Sequence, residues 1–223
     1  SLVTRLGTTF ENPGHSPKAS LKGRRNAVLE RKIIDALDAA FYTAFQNVEP
    51  TGKSHLLALD ISGSMTMGEV GGSALTPREA SAAMALVTLN VEDNVECVGF
   101  HRSLISLSLS SRMRLDNAVT YINGLGFGGT DCSLPMIYAT EQQKKFDAFI
   151  VYTDSETWAG RIHPKQALDQ YRQRSGINAR SVGVGMVANK VSIADPKDAG
   201  MLDVVGFDTA TPSLISEFVA GKL

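Results

Sequence analysis

The stretch "LLALDISGSM", residues 56–65, ends an apolar run in one carboxylate and two hydroxyls at alternate positions: Asp60, Ser62 and Ser64. Two other stretches close in similar groups. Thr130 follows a pair of glycines in "GFGGTD", and Asp154 closes "FDAFIVYTD". Together these are two carboxylates and three hydroxyls, hard oxygen donors suited to Mg²⁺, Mn²⁺ or Ca²⁺ and unsuited to a soft metal. Alternate spacing lets Ser62 and Ser64 face the same side as Asp60, with Gly63 permitting a tight turn between them. Neutral hydroxyls donate little charge. An ion held directly by Ser62, Ser64 and Thr130, with Asp60 and Asp154 acting through water, would stay electrophilic and accept an outside carboxylate or phosphate. Taken singly, each residue reads more readily as a helix cap or a strand-end turn. Only their joint placement favours an ion site.

Joint placement requires elements that bring the three loops to one edge. "HLLALD" is a continuous apolar run, "VECVGF" is a second apolar strand, and "PREASAAMALVTLN" between them is an Ala-rich helix. "SLISLSL" alternates apolar and polar residues, as a half-exposed edge strand does. Helices are expected near "LDNAVTYINGL", near "SLPMIYATEQQ", from about Pro164 to Arg174 and from about Pro212. Strands are expected at "FDAFIVYTD", "ARSVGVG" and "LDVVGF". Strands alternating with helices predict an α/β, doubly wound, mostly parallel sheet with one antiparallel edge strand and helices on both faces, in the Rossmann-like manner. Such sheets bind ligands beyond the carboxyl ends of their strands, where Asp60, Thr130 and Asp154 fall.

Residues 51–223 make up this expected domain, and residues 1–50 a leader followed by a docking helix. "LERKIIDALDAAFYTAF" places Leu29, Ile33, Leu37, Ala40, Phe41 and Phe45 on one apolar helical face, expected to pack on the domain. At 223 residues, 43% hydrophobic and 20% charged, the chain suits one full core with a small appendage. Its net charge of −1 excludes a global electrostatic pull toward nucleic acid or membrane. No apolar run approaches the length of a membrane span, and no signal-peptide pattern opens the sequence. Cys97 and Cys132 have neither metal-ligand nor disulfide-framework spacing, so reduced thiols in a cytoplasmic protein are expected. His15, His55, His101 and His163 share no ligand spacing. Lys18, Lys22, Arg24 and Arg25 read as a solvated basic leader that could touch phosphates. Trp158 is equally a contact anchor beside Asp154 or a residue packed on its own loop.

"DISGS", "GGTD" and "VYTDSE", in this order and at these strand ends, resemble the D-x-S-x-S, Thr and Asp elements of a von Willebrand factor A domain with its metal-ion-dependent adhesion site (MIDAS). "LDAAFYTAFQNVEPTGK", "GGTDCSLPMIYA", "IVYTDSETWAGRIHP" and "IADPKDAGMLDVVGFDT" are similar to the C-terminal half of Ro autoantigen proteins, the TROVE-module RNA-binding family. The resemblance covers roughly residues 26–223. It implies a ribonucleoprotein in which a ring of helical repeats binds Y RNA and misfolded noncoding RNA, in RNA quality control, while the A domain closes the ring. It further implies that this chain is an excised portion, with residues 29–45 as the last helix of that ring. The metal ligands carried over are Asp60, Ser62, Ser64, Thr130 and Asp154, with no catalytic residues. Asp131 and Glu156 stand near enough to support them as outer acids.

The function expected is therefore non-enzymatic: a metal-dependent protein-interaction domain, acting as a monomer, whose protein partner supplies a carboxylate. The alternative is a Mg-dependent phosphotransferase or phosphatase using Asp60 as nucleophile. That arrangement usually has a second acid two residues on, where Ser62 stands. No G-x-S-x-G surrounds any serine, so a serine hydrolase is disfavoured. "GVGMVA", from Gly183 to Ala188, imitates a dinucleotide fingerprint but follows the wrong strand for one.

Overall fold

Residues 54–60 form β1 (Ser54–Asp60), whose residues beyond Ser54 are all buried because helices cover both faces of the sheet. Leu57 and Leu59 enter one apolar layer; Leu56 and Ala58 enter the other. The structure is a computed structural model and describes residues 35, 39, 42, 43, 45, 48–71, 73, 75–126, 128–154, 160–187, 193–206 and 208–223. Tyr42–Leu223 form one compact unit, and it is this unit that is described below. The basic leader, most of the expected docking helix, Glu156 and Trp158 lie outside the described residues.

β2 (Asn94–Phe100), β3 (Leu104–Ser106), β4 (Ala148–Thr153), β5 (Arg180–Gly185) and β6 (Met201–Val205) complete a six-stranded sheet in the order β3-β2-β1-β4-β5-β6. All pairings are parallel except β2 with β3 at one edge. The strand order reverses between β1 and β4, which makes their carboxyl ends the topological switch point. Helices α1 (Pro77–Val91), α2 (Leu115–Asn123) and α5 (Thr211–Ala220) pack on the face that holds Leu57 and Leu59. Helices α3 (Leu134–Glu141) and α4 (Pro164–Ser175) cover the other face through Met136, Ala139, Leu168 and Tyr171. Among the described residues, no helix is long and apolar enough to cross a membrane.

Two elements are shorter than the sequence suggests. The alternation in "SLISLSL" continues past Ser106, yet β3 stops there. Leu107 makes one more bond to the Cys97 carbonyl, at 2.9 Å, and the next amide, Ser108, turns to the Tyr121 hydroxyl at 3.1 Å instead of to β2. Helix α3 ends at Glu141 because Gln143 adopts a left-handed backbone with φ of 53°. This lets the Lys144 amide bond back to the Ala139 carbonyl at 2.9 Å and closes the helix end.

The edge of the sheet where the parallel strands begin is held by carboxylates. Glu92 accepts the amides of Thr51 and Gly52, at 2.6 and 3.1 Å, and Asp147 accepts that of Ser54 at 3.0 Å. Between them His55 is 2% exposed, and its Nδ1 donates to the Lys53 carbonyl at 2.9 Å. Within the same unit, Phe45 is buried, packs edge-on to Tyr42, and the Tyr42 hydroxyl donates to the Met113 carbonyl.

Two measurements follow from these features. Gln143→Gly relieves a left-handed side-chain residue and is expected to raise unfolding free energy by about 1 kcal/mol in urea titrations. Burial lowers the pKa of His55, against the opposing charges of Glu92 and Asp147. The unfolded chain therefore takes up the proton first, and stability is lost as pH falls below about 6.5. Melting temperatures between pH 7.5 and 5.5 are expected to decline less steeply in His55→Gln than in the parent chain.

Candidate metal centre

The loops after β1 and β4 meet at the switch point, and the residues singled out by spacing converge there. Asp60 is 1% exposed. One of its oxygens accepts the Ser62 amide at 2.8 Å and the other the Thr153 hydroxyl at 2.7 Å. Ser62 and Ser64 bring their hydroxyl oxygens to 3.1 Å, and Ser64 donates to Asp154 Oδ1 at 3.0 Å. Thr130 is buried beside them and its hydroxyl acts on the Asp60 carboxylate. All five expected ligands therefore occupy one cluster, and only Ser64 is exposed.

Burial raises the pKa of Asp60, and the Thr153 hydroxyl, the Ser62 amide and the Ser62 and Thr130 hydroxyls oppose it. A carboxylate so enclosed gains from a nearby cation. With both oxygens already accepting protein donors, Asp60 suits contact with an ion through water better than direct ligation. The side-chain oxygens of Ser62, Ser64 and Asp154 lie in a hydrogen-bonded row, with Ser64 its exposed member. Among the described residues, no group of three or more His, Cys, Asp or Glu side chains could hold a metal. A cation at this site would therefore depend on hydroxyls, and the donor set fits a hard divalent ion.

Local backbone shape departs from expectation at Gly63. Its φ of −64° and ψ of −33° are ordinary right-handed values, and it begins a single 3₁₀ turn over Ser64–Thr66. The turn therefore makes no use of glycine's left-handed freedom, because the chain simply winds one helical step after Ser62. Neither serine caps a helix: α1 is capped by Thr76, in a reciprocal box with Glu79.

The Thr130 loop is fastened from above and behind. A Cβ on Gly128 would stand 2.8 Å from His101 Cγ, and one on Gly129 would stand 3.1 Å from Arg102 Nε. The glycine pair thus lets the β2–β3 turn lie directly on the loop, where the Asp131 amide donates to the His101 carbonyl at 3.1 Å. Asp131 itself accepts the Ser133 amide and hydroxyl, at 3.0 and 2.6 Å, and lies against Gly160. Its carboxylate joins the start of α3 to the segment before α4, supporting the loop from outside the ligand row.

Two residues that spacing did not reveal complete the site. Thr153, the last residue of β4, reaches across to Asp60. Arg78, in the first turn of α1, is 1% exposed; its guanidinium donates to the carbonyls of Ile61 at 2.5 Å, Ser62 at 3.2 Å and Ile122 at 3.4 Å. It places a positive charge beneath the loop that carries the serines, and the Asp60 charge acts on it in turn. The visible signal is an arginine at the head of "PREASAAMA", a stretch that from Ala80 on holds only small residues and a methionine. Elsewhere, Gly183 is a packing glycine: its Cβ would stand 2.4 Å from Asp203 Oδ1. Of "GVGMVA", Ala188 lies outside the described residues. Cys97 and Cys132 are free and buried, and burial pushes the Cys97 thiol up to about 12.

The Ro60 vWA domain family matches residues 54–219. Over 211 residues the chain is 49% identical to the RNA-binding protein RO60 of Caenorhabditis elegans, covering 94% of this chain and 32% of that protein. Over 193 residues it is 46% identical to the RNA-binding protein RO60 of Deinococcus radiodurans, covering 86% and 36%. The crystal structure of the Deinococcus radiodurans RO protein matches at a TM-score of 0.79 and 46% identity, over 86% of this chain and 39% of that one. Proximal thread matrix protein 1 of the mussel byssus shares the fold alone, at a TM-score of 0.51 and 11% identity, over 78% and 47% of the two chains. The chain spans about a third of the length of its two curated relatives.

The buried guanidinium generates a test. Arg78→Met would leave the Ile61 and Ser62 carbonyls without their donor and Asp60 without a nearby cation. It is expected to cost about 3 kcal/mol of stability, read by denaturant titration, with Arg78→Lys intermediate.

Proposed function

Because the chain belongs to the Ro60 vWA domain family, we propose that it is the metal-dependent, non-enzymatic interaction domain of a Ro-like RNA-binding protein. The observation that carries the reading is the row Ser62, Ser64 and Asp154 beside a buried Asp60, at the switch point of the sheet. In this reading Ser62, Ser64 and Thr130 hold Mg²⁺, Mn²⁺ or Ca²⁺ directly, and Asp60 and Asp154 act through water. The bound ion supplies an electrophilic position for an acidic side chain of a protein partner. Ser64 is the exposed member, so a partner would approach from its side.

Relatives of this chain are named RNA-binding proteins, and we assign noncoding (Y) RNA binding and RNA quality control to the parent protein. In that parent a ring of helical repeats outside this chain would hold the RNA. We propose that the domain acts as a monomer. Its buried thiols suit a reducing compartment, and the cytoplasm is the proposed location.

The phosphotransferase reading finds little support in the geometry. A nucleophilic Asp60 would need an accessible oxygen, and this carboxylate is 1% exposed with a protein donor on each oxygen. Calorimetric titration with Mg²⁺ and Mn²⁺ tests the metal site. Three hydroxyls and two acids are expected to bind weakly, and Ser62→Ala or Thr130→Ala to weaken binding at least about fivefold while the domain stays folded. Unchanged affinity in both variants would remove these residues as ligands. Turnover of a phosphomonoester with Mg²⁺, abolished by Asp60→Asn, would replace the binding reading with the enzymatic one.

A further inference from the structure

At the end of the domain where the parallel strands begin, the last turns of α3 and α4 and the turn that follows α3 enclose a cleft of about 540 Å³. Its lining carries Lys144, Lys145 and Arg174 against a single carboxylate, Glu141. Lys144 is engaged, donating to both oxygens of Glu96 at 2.8 and 2.7 Å. Lys145 and Arg174 are exposed, and among the described residues neither side chain makes an ion pair or hydrogen bond.

Cations often gather at helix C-termini to answer exposed carbonyls. Here backbone amides already answer four of them, three on α3 and one on α4. The carbonyls of Tyr138, Ala139 and Thr140 accept from Gln142, Lys144 and Gln143, and that of Arg172 accepts from Gly176. The turn is also rigidly held. The Tyr171 hydroxyl accepts the Phe146 amide at 2.6 Å and donates to the Phe146 carbonyl at 2.9 Å. Asp147 closes onto Ser54 through its amide and its carboxylate. Gln143 keeps a left-handed backbone within this frame, where glycine would sit without strain.

We propose that this cleft is a second binding site, independent of the metal, for one phosphate group on a nucleotide-sized ligand. Arg174 offers paired donors matched to phosphate oxygens, and Lys145 offers a point charge beside them. The volume exceeds what a phosphate fills and lies within the range of small-ligand sites. Gln143 and Ser175 also line the cleft. Glu141 limits the charge accepted, since a chain of phosphates would bring further negative charge against it. The phosphate could belong to a free nucleotide or to one unit of a single-stranded RNA.

Titration of the whole chain in EDTA, by calorimetry or amide chemical shifts, tests the proposal with inorganic phosphate, adenosine monophosphate and a short single-stranded oligoribonucleotide. Saturable binding is expected, unchanged in Asp154→Ala and weakened at least about tenfold in Lys145→Ser/Arg174→Ser, whose melting temperature should match the parent. Tighter binding of the oligoribonucleotide than of the monophosphate would identify RNA as the source; equal binding would identify a free nucleotide. Failure of all three probes to saturate, or equal affinity in the double variant, would overturn the site.

Discussion

Asp60 is a carboxylate taken almost wholly out of water at the centre of the sheet, and the surrounding architecture answers that charge. Burial of an unpaired carboxylate is costly enough that its neighbours must supply hydrogen bonds or the group must stay protonated. Besides the Thr130 hydroxyl, the supply comes from three directions. The Ser62 amide bonds back from the loop, the Thr153 hydroxyl reaches across from the neighbouring strand, and the Arg78 guanidinium stands beneath the loop, its charge coupled to the carboxylate. Each contribution depends on a different element being in register. The parallel pairing of β1 with β4 brings Thr153 alongside, and the capping box at Thr76 fixes the first turn of α1 so that Arg78 points inward.

This arrangement explains which parts of the molecule were legible in the sequence. Strands buried on both faces appear as continuous apolar runs, so "HLLALD" and "FIVY" could be read, as could "VECVGF" from its buried second half and the antiparallel edge from its alternation. Element ends were less legible because hydrogen bonds made over distance set them. The Tyr121 hydroxyl takes the amide that would have extended β3, and a left-handed glutamine ends α3 where propensity would continue it. The five hydroxyl and carboxyl groups of the site could be read because they lie in short motifs, four of them just at or after the ends of β1 and β4 and Thr130 in the loop between α2 and α3. Arg78 and Thr153 could not: nothing in their immediate neighbours states that a helix and a strand from separate parts of the chain will direct them to one carboxylate.

The two ends of the sheet use the same chemistry for different purposes. Where the parallel strands begin, Glu92 and Asp147 accept backbone amides and hold the chain as it enters β1, while Tyr171 locks the turn into β4. Those carboxylates are consumed by backbone donors. At the carboxyl ends, the serine hydroxyls and Asp154 form a hydrogen-bonded row whose member Ser64 is exposed. A scaffold that is fixed at one end and presents oxygens at the other keeps the oxygens in place without using them up. Preorganisation of this kind lowers the cost of gathering several weak donors around an ion.

Arg78 also ties the outward loop to the body of the domain. Its guanidinium bonds the Ile61 and Ser62 carbonyls on one side and, more weakly, the Ile122 carbonyl at the end of α2 on the other. Any displacement of the serine loop must therefore carry α1 with it or leave buried carbonyls without their donor, at about 1–3 kcal/mol for each group. Because α1 packs against α2 and the sheet through Ala80, Met84 and Ile122, a displacement that keeps these bonds extends into the whole layer on that face. The cluster at the switch point and the helices beneath it are thus mechanically one unit. The cost of moving the loop is set in the apolar layer below the site, away from the oxygens that would meet a ligand.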